Sequence, residues 1–299
     1  MRTSGADRTG VATSGRRAFL MSAAGAISAA ALTGGATRPL ASATPRKRDI
    51  VLVHGAWHGG WCWEMVRALL EADGHRVFTP TLPGLAERAD ELTPEIGLDT
   101  HIDDVVATIL AEDLTDFVLC GHSYGGMVIT GVADRLKERI AHIVYLDAAL
   151  PKNGESMLSY GEPRPAAAIE GATAAMRGLA PDGVAIGVFP PSVLGIPADH
   201  PRHDWVAERL TPHPLKTWLD PIELANGGPK GLARTYIHCT DPVLAQTQFP
   251  WIASQVSTDP SWHYAELKTG HDAMVTDPDG VAQILRAAAA KETHREDGA

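Results

Sequence analysis

Cysteine is scarce in this 299-residue sequence, which holds only Cys62, Cys120 and Cys239. Three scattered thiols make no disulfide framework, and without a Cys-x-x-Cys pair they make no zinc module. Cys120 and Cys239 end apolar runs, where a buried free thiol behaves as a small hydrophobe. Basic charge is also short. Lys and Arg number 26 against 36 Asp and Glu, a formal net charge of −10. Residues 1–43 carry Arg2, Arg8, Arg16, Arg17 and Arg38 against Asp7 alone, so the acidic excess belongs to the remainder. An acidic body is repelled by nucleic acid and by anionic membrane surfaces, and neither is expected as a partner. No internal repeat is present. The pairs Gly125-Gly126 and Gly227-Gly228 lack the context of a phosphate-binding loop. His200 and His203 are three apart but flank Pro201 with no third ligand, so no metal site is expected.

What is present is ordinary globular composition, 44% hydrophobic and 21% charged, in a length that suits one large or two small domains. The N-terminus stands apart. Arg16-Arg17 precede a mildly apolar run rich in alanine and glycine, and Ala41-Ser42-Ala43 offers a small-x-small cleavage site. This resembles a twin-arginine export signal over residues 1–43, with a mature chain from about Thr44 placed in the periplasm or outside the cell. A membrane anchor is the rival reading. Ser22, Gly25, Ser28 and Thr33 dilute the run, and it is shorter than a span requires.

From residue 49 onward the pattern alternates. Apolar strand-like runs cover residues 49–54, 75–78, 117–120 and 140–146. Helical spacing covers 61–72, 102–110 and the stretch from 127 to 136, and residues 80–94 read as loop. Alternation of this kind predicts an α/β fold with a mostly parallel sheet covered on both faces. Between about 152 and 231 the pattern breaks into short apolar groups among prolines and glycines, with Trp205 and Trp218 in helix-like stretches. It resumes with a strand at 233–239, a helix around 246–257, a strand at 262–267 and a final helix at 280–291. The broken stretch reads as a cap inserted between two strands of one domain, residues 44–299.

The densest signal is Gly121-His122-Ser123-Tyr124-Gly125, which fits Gly-x-Ser-x-Gly between an apolar strand and a helix. In that setting it marks a nucleophile elbow. The serine sits on a sharp turn with its hydroxyl exposed above the sheet. Gly121 and Gly125 let strand and helix approach, and the helix start points N–H groups at a developing oxyanion.

Four motifs in order, VLVHGAWHGGWCW (51–63), GHSYGG (121–126), YLDAALP (145–151) and TGHDAM (269–274), resemble the α/β-hydrolase superfamily. Within it the chain is similar to bacterial esterases related to plant methylesterases and hydroxynitrile lyases. The resemblance implies a serine hydrolase with a cap, a small-molecule ester as substrate, no cofactor and no metal. Ser123 would be the nucleophile, activated by a base within hydrogen-bond reach. Of the 13 histidines, His271 follows the last strand and lies C-terminal to every candidate acid, matching the chain order Ser, Asp, His. The oxyanion hole would use the backbone N–H groups of Ala56 and Tyr124, with Gly55 letting the turn pass close to substrate. His54 would order that turn. Trp57, His58 and His122 are candidates for the pocket wall, and Met157, Phe189, Trp205 and Trp218 suggest an apolar or aromatic substrate group.

The third triad member stays open between two residues. Similar chains read Cys-Thr-x-Asp after the strand at 233–239. Here that slot holds Pro242, and Asp241 stands one residue early. Asp147, at the end of the strand after the nucleophile helix, occupies the position used by haloalkane dehalogenases and is favoured; Asp241 is the alternative. Two other functions compete with ester hydrolysis. A hydroxynitrile lyase would place a lysine after His271, where this chain has Asp272, whose charge would repel cyanide. A non-catalytic small-molecule binder would not need Ser123 and His271 together.

Overall fold

Ile50-Val51-Leu52-Val53 and Phe117-Val118-Leu119-Cys120 have no polar face to offer water, so they fit only strands covered on both sides. The computed structural model describes residues 47–291 and buries both runs completely. Along the chain, β1 (Ile50–Val53), α1 (Glu64–Ala72), β2 (Val77–Phe78), α2 (Leu98–Ala111), β3 (Phe117–His122), α3 (Gly125–Leu136) and β4 (Ile140–Leu146) alternate. A cap follows, made of α4 (Ala166–Gly178), β5 (Ala185–Ile186), α5 (His203–Ala207), β6 (His213–Pro214) and α6 (Lys216–Leu219). Then come β7 (Ala233–Cys239), α7 (Phe249–Val256), β8 (His263–Leu267), α8 (Ala273–Thr276) and α9 (Pro278–Ala290).

The central sheet has six strands in the order β2-β1-β3-β4-β7-β8, and every neighbouring pair is parallel. The chain leaves β1 toward β2 and returns to the other side of β1 as β3. The order in which strands are added therefore reverses between β1 and β3, with no change of strand direction, and the crevice beyond their C-terminal ends is where such sheets bind ligands. Register brings the loops of interest to that edge. Val53 pairs with Gly121, His122 with Leu146, and Leu146 with Ile237. The residues that follow these positions are His54, Ser123, Asp147 and His238. Helices pack in pairs, α1 on α9 and α2 on α3, over the sheet.

Several boundaries differ from the sequence reading. The helix expected over 61–72 begins as a 3-10 turn, Gly60–Trp63, before α1. The loop at 80–94 contains a further 3-10 segment, Ala86–Glu91. The largest cap helix, α4, lies where no helix was read. It has no fully buried residue, and its inward side is a weak stripe, Ile169, Ala172, Thr173 and Met176, that small residues on the other sides do not set off. The cap also holds a two-stranded antiparallel ribbon, β5 with β6. Its segment near Gly195 presses backbone to backbone on the turn before His271: a Cβ added at Gly195 would stand 2.5 Å from the His271 nitrogen, and one at Gly270 would stand 2.0 Å from the Gly195 oxygen. Only residues without a side chain fit there. The export signal read at 1–43 lies outside the described residues.

Candidate active site

Ser123 turns the chain from β3 into α3. Its φ is +55°, in the left-handed region that a non-glycine residue occupies only when its surroundings enforce it. They do so through the backbone. The Ser123 N–H donates to Leu146 O at 3.2 Å, and its carbonyl accepts from the amides of Gly126 at 3.1 Å and Ala149 at 3.0 Å. The glycines beside it are needed for closeness. A Cβ at Gly121 would lie 2.6 Å from Gly125 O, and one at Gly125 would lie 2.8 Å from His54 O.

His271 is buried, and its Nδ1–H donates to Asp147 Oδ2 at 2.7 Å. That bond fixes the tautomer and leaves Nε2 for a proton from elsewhere. Asp147 also has a left-handed backbone, φ +41°. Its Oδ1 accepts from His238 Nδ1 at 3.1 Å and from the Cys239 amide at 3.3 Å. Burial alone would raise the pKa of this carboxyl, but the hydrogen bonds from His238 and His271 outweigh it and hold it down to about 2. Asp147 is thus the carboxylate that the fold brings to His271. Asp241 is exposed, its amide donates to Thr269 O at 3.0 Å, and among the described residues its carboxylate makes no hydrogen bond to His271.

The turn after β1 is held by His54, whose Nδ1–H donates to Gly55 O at 2.8 Å while Nε2 accepts from the Leu82 amide at 3.0 Å. Burial lowers its pKa to about 3, so it stays neutral and orders the turn. Neither the Ala56 amide nor the Tyr124 amide donates to a carbonyl in any turn or loop among the described residues. Under Tyr124 lies a brace absent from the sequence reading. His101 Nε2–H donates to Pro83 O at 3.0 Å, leaving Nδ1 to accept from the Tyr124 hydroxyl at 2.9 Å.

Residues 50–284 match the alpha/beta hydrolase family. The chain belongs to that family. This hydrolase is 40% identical over 245 residues to the carbendazim hydrolyzing esterase of Nocardioides sp., covering 80% of this chain and 98% of the relative. It is 34% identical to methylesterase 1 of Arabidopsis thaliana, over 37% of this chain and 43% of that one. Among solved structures, an extracellular α/β-hydrolase from a Paenibacillus species superposes with a TM-score of 0.69 at 24% identity, over 82% of this chain and all of that chain (100%).

In the hydrolase, Ser123 and His271 share the wall of one cavity of about 310 Å³. Trp57, Met157, Phe189 and Trp218 line it, and so do Leu244 and residues 246–249, which the sequence reading did not assign to the pocket. Three expected wall residues are elsewhere. Trp205 packs on Trp61 with ring centroids 5.1 Å apart. His58 and His122 are buried behind the cavity, because each makes polar contacts inside the fold. His122 Nε2–H donates to the carbonyl of His271 at 3.0 Å. His58 contacts two acceptors, Ala56 O at 2.8 Å through Nδ1 and Asp272 Oδ2 at 3.1 Å through Nε2. Burial opposes a charge on His58, but Asp272 overrides it and raises the pKa above the ordinary value. Both ring nitrogens donate, so the pair is an imidazolium beside a carboxylate. This corrects the argument against a lyase: Asp272 is buried and balanced by His58, and it turns no uncompensated charge toward the cavity. Side-chain donors of His122, His271 and Asp272 come within 4.8 Å of one another. Each of the three is already tied to His271 O, Asp147 or His58, and we assign no metal to them.

Proposed function

We propose that this chain is a carboxylic ester hydrolase working through an acyl-enzyme on Ser123. The observation that carries the reading is the 2.7 Å bond from His271 to the ionised Asp147, at a cavity whose wall also holds Ser123 on its left-handed turn. In the first half-reaction the Ser123 oxygen attacks the ester carbonyl while His271 Nε2 takes its proton. Asp147 stabilises the resulting imidazolium without itself being protonated. The amides of Ala56 and Tyr124 hold the oxyanion, which collapses as His271 returns the proton to the departing alcohol. Water repeats the sequence to release the acid. Esterase names among the relatives support the same class. The apolar and aromatic wall fits small esters with an aryl or alkyl group, and carbendazim belongs in the test panel with p-nitrophenyl acetate and butyrate. The wild-type chain should turn over at least one of these and bind a fluorophosphonate probe at Ser123. Ser123→Ala should lose both while keeping its circular dichroism spectrum. Activity within tenfold of wild type in that variant would rule out the serine mechanism.

We also propose that residues 1–43 direct export by the twin-arginine route, on the strength of Arg16-Arg17 and the Ala41-Ser42-Ala43 site. Sequencing the N-terminus of extracytoplasmic protein should give a start near residue 44, and Arg16→Lys with Arg17→Lys should stop export. An extracytoplasmic chain still beginning at Met1 would contradict this.

A further inference from the structure

Only one residue in the cavity wall carries a permanent charge, and that is Arg164. It is half-buried, on the short run between the Leu158 region and α4. Its Nη2 donates to Leu158 O at 2.7 Å, which fixes the plane of the guanidinium. Its Nε is buried with no hydrogen-bond partner. No ion pair with a carboxylate holds it among the described residues, whereas Arg48, Arg88, Arg135 and Arg286 are each paired with an acid; Arg177, Arg202 and Arg234 also lack such a pair, but none of them lines the cavity. A buried N–H with no acceptor is costly unless something supplies one. Two other polar groups of this wall are engaged locally. Gln248 Oε1 accepts from the Glu162 amide at 2.9 Å, and the Thr247 hydroxyl donates to Leu244 O at 2.8 Å. Neither of these bonds involves Arg164.

We propose that Arg164 is a specificity residue that binds an anionic oxygen group, a carboxylate, carried by the substrate away from its scissile ester. The inference rests on the ester-hydrolase reading for the reaction and adds the class of ester preferred. A planar guanidinium presents parallel N–H groups that match the two oxygens of a carboxylate, which a lone ammonium does not. The apolar walls of Trp57, Phe189 and Trp218 would cover the chain or ring joining the two ends of such a half-ester.

The test compares mono-p-nitrophenyl glutarate with p-nitrophenyl butyrate, which share a leaving group and differ in the carboxylate. The readout is the ratio of their kcat/KM values. In Arg164→Met the ratio should fall on the order of 10- to 100-fold, the range expected for a lost hydrogen bond to a charged group. In Arg164→Lys, which keeps the charge but not the fork, it should fall to an intermediate value. A ratio that moves less than twofold in both variants overturns the proposal, since a purely structural role through Leu158 would depress the two esters together. Calorimetric titration with benzoate provides a second arm independent of turnover. Wild type should bind benzoate at least tenfold more tightly than Arg164→Met, and equal affinities overturn the proposal. Wild type that hydrolyses neither ester but binds benzoate through Arg164 would sink the ester reading and leave the anion site standing.

Discussion

A carboxylate that accepts hydrogen bonds from two histidines and a backbone amide keeps its charge well into acid, and Asp147 is in that position, with its pKa held at about 2. The ionised form is what an imidazolium at His271 needs beside it. Asp147→Asn should therefore lower kcat by about 10⁴, as loss of the acid does in other triads, whereas Asp241→Asn should stay near wild type. Measured on one ester substrate, the reverse pattern would move the acid to Asp241. Residue chemistry was the most readable layer. Ser123, His271 and the preference for Asp147 all come from motif and chain order, and the structure brings Asp147 to His271. His238 was not legible, because one histidine inside an apolar strand run has no pattern of its own. His58 and His122 misled for a related reason. Both flank glycine-rich motif positions, yet whether such a ring faces the cavity or the core depends on partners, Asp272 and His271 O, that no spacing reveals. Arg164 was missed because a single cation in an irregular stretch makes no cluster.

Elements built from repetition were readable, and elements built from compensation were not. Strands β1, β3 and β4 are built on apolar runs, β7 is more mixed, and β4 and β7 fall at the residues expected. Their parallel order follows from alternation with helices. The cap obeys no such rule. Its 13-residue helix α4 is rich in alanine and buries no residue fully; helix propensity is helped only by a half-buried side, on which Met176 packs against the core and Ala172 meets the cavity. Residues 242–248 are another case. They form no regular element, yet they supply part of the cavity wall beside Phe249, which stacks on His271 at 5.2 Å between ring centroids and 12° between planes. Loops of this kind are positioned by what they touch, and a local pattern carries no record of that.

Across the whole molecule, five buried imidazoles are held neutral. Burial is the leading cause in each, lowering His54, His122 and His142 to about 3, His101 to about 4, and His213 well below its ordinary value. Their unfolded counterparts titrate near 6.5. Below that pH the unfolded chain takes up protons that the folded chain refuses, so stability falls as pH drops from about 6.5 toward the folded values. His58 has the opposite sign, since its pKa is raised: its contribution is present below about 6.5 and is lost as pH climbs. One group does not offset five. Each refused proton costs about 1.4 kcal/mol per pH unit, so five together can remove roughly 5–7 kcal/mol over one unit, comparable with the whole stability of many domains. Thermal melts in matched ionic strength should show the melting temperature dropping steeply from pH 7 to pH 5, and a level profile over that range would be incompatible with neutral burial of these rings. The contact of Gly195 with Gly270 constrains the molecule in a different way, through its history of change. A transplanted cap fits here only if it too brings glycine to this place, since any side chain there would push on the amide of His271. Wholesale replacement of the insertion is therefore restricted to donors that meet this condition. Point changes in its inward-facing side chains leave the glycine seam untouched and are free of that restriction.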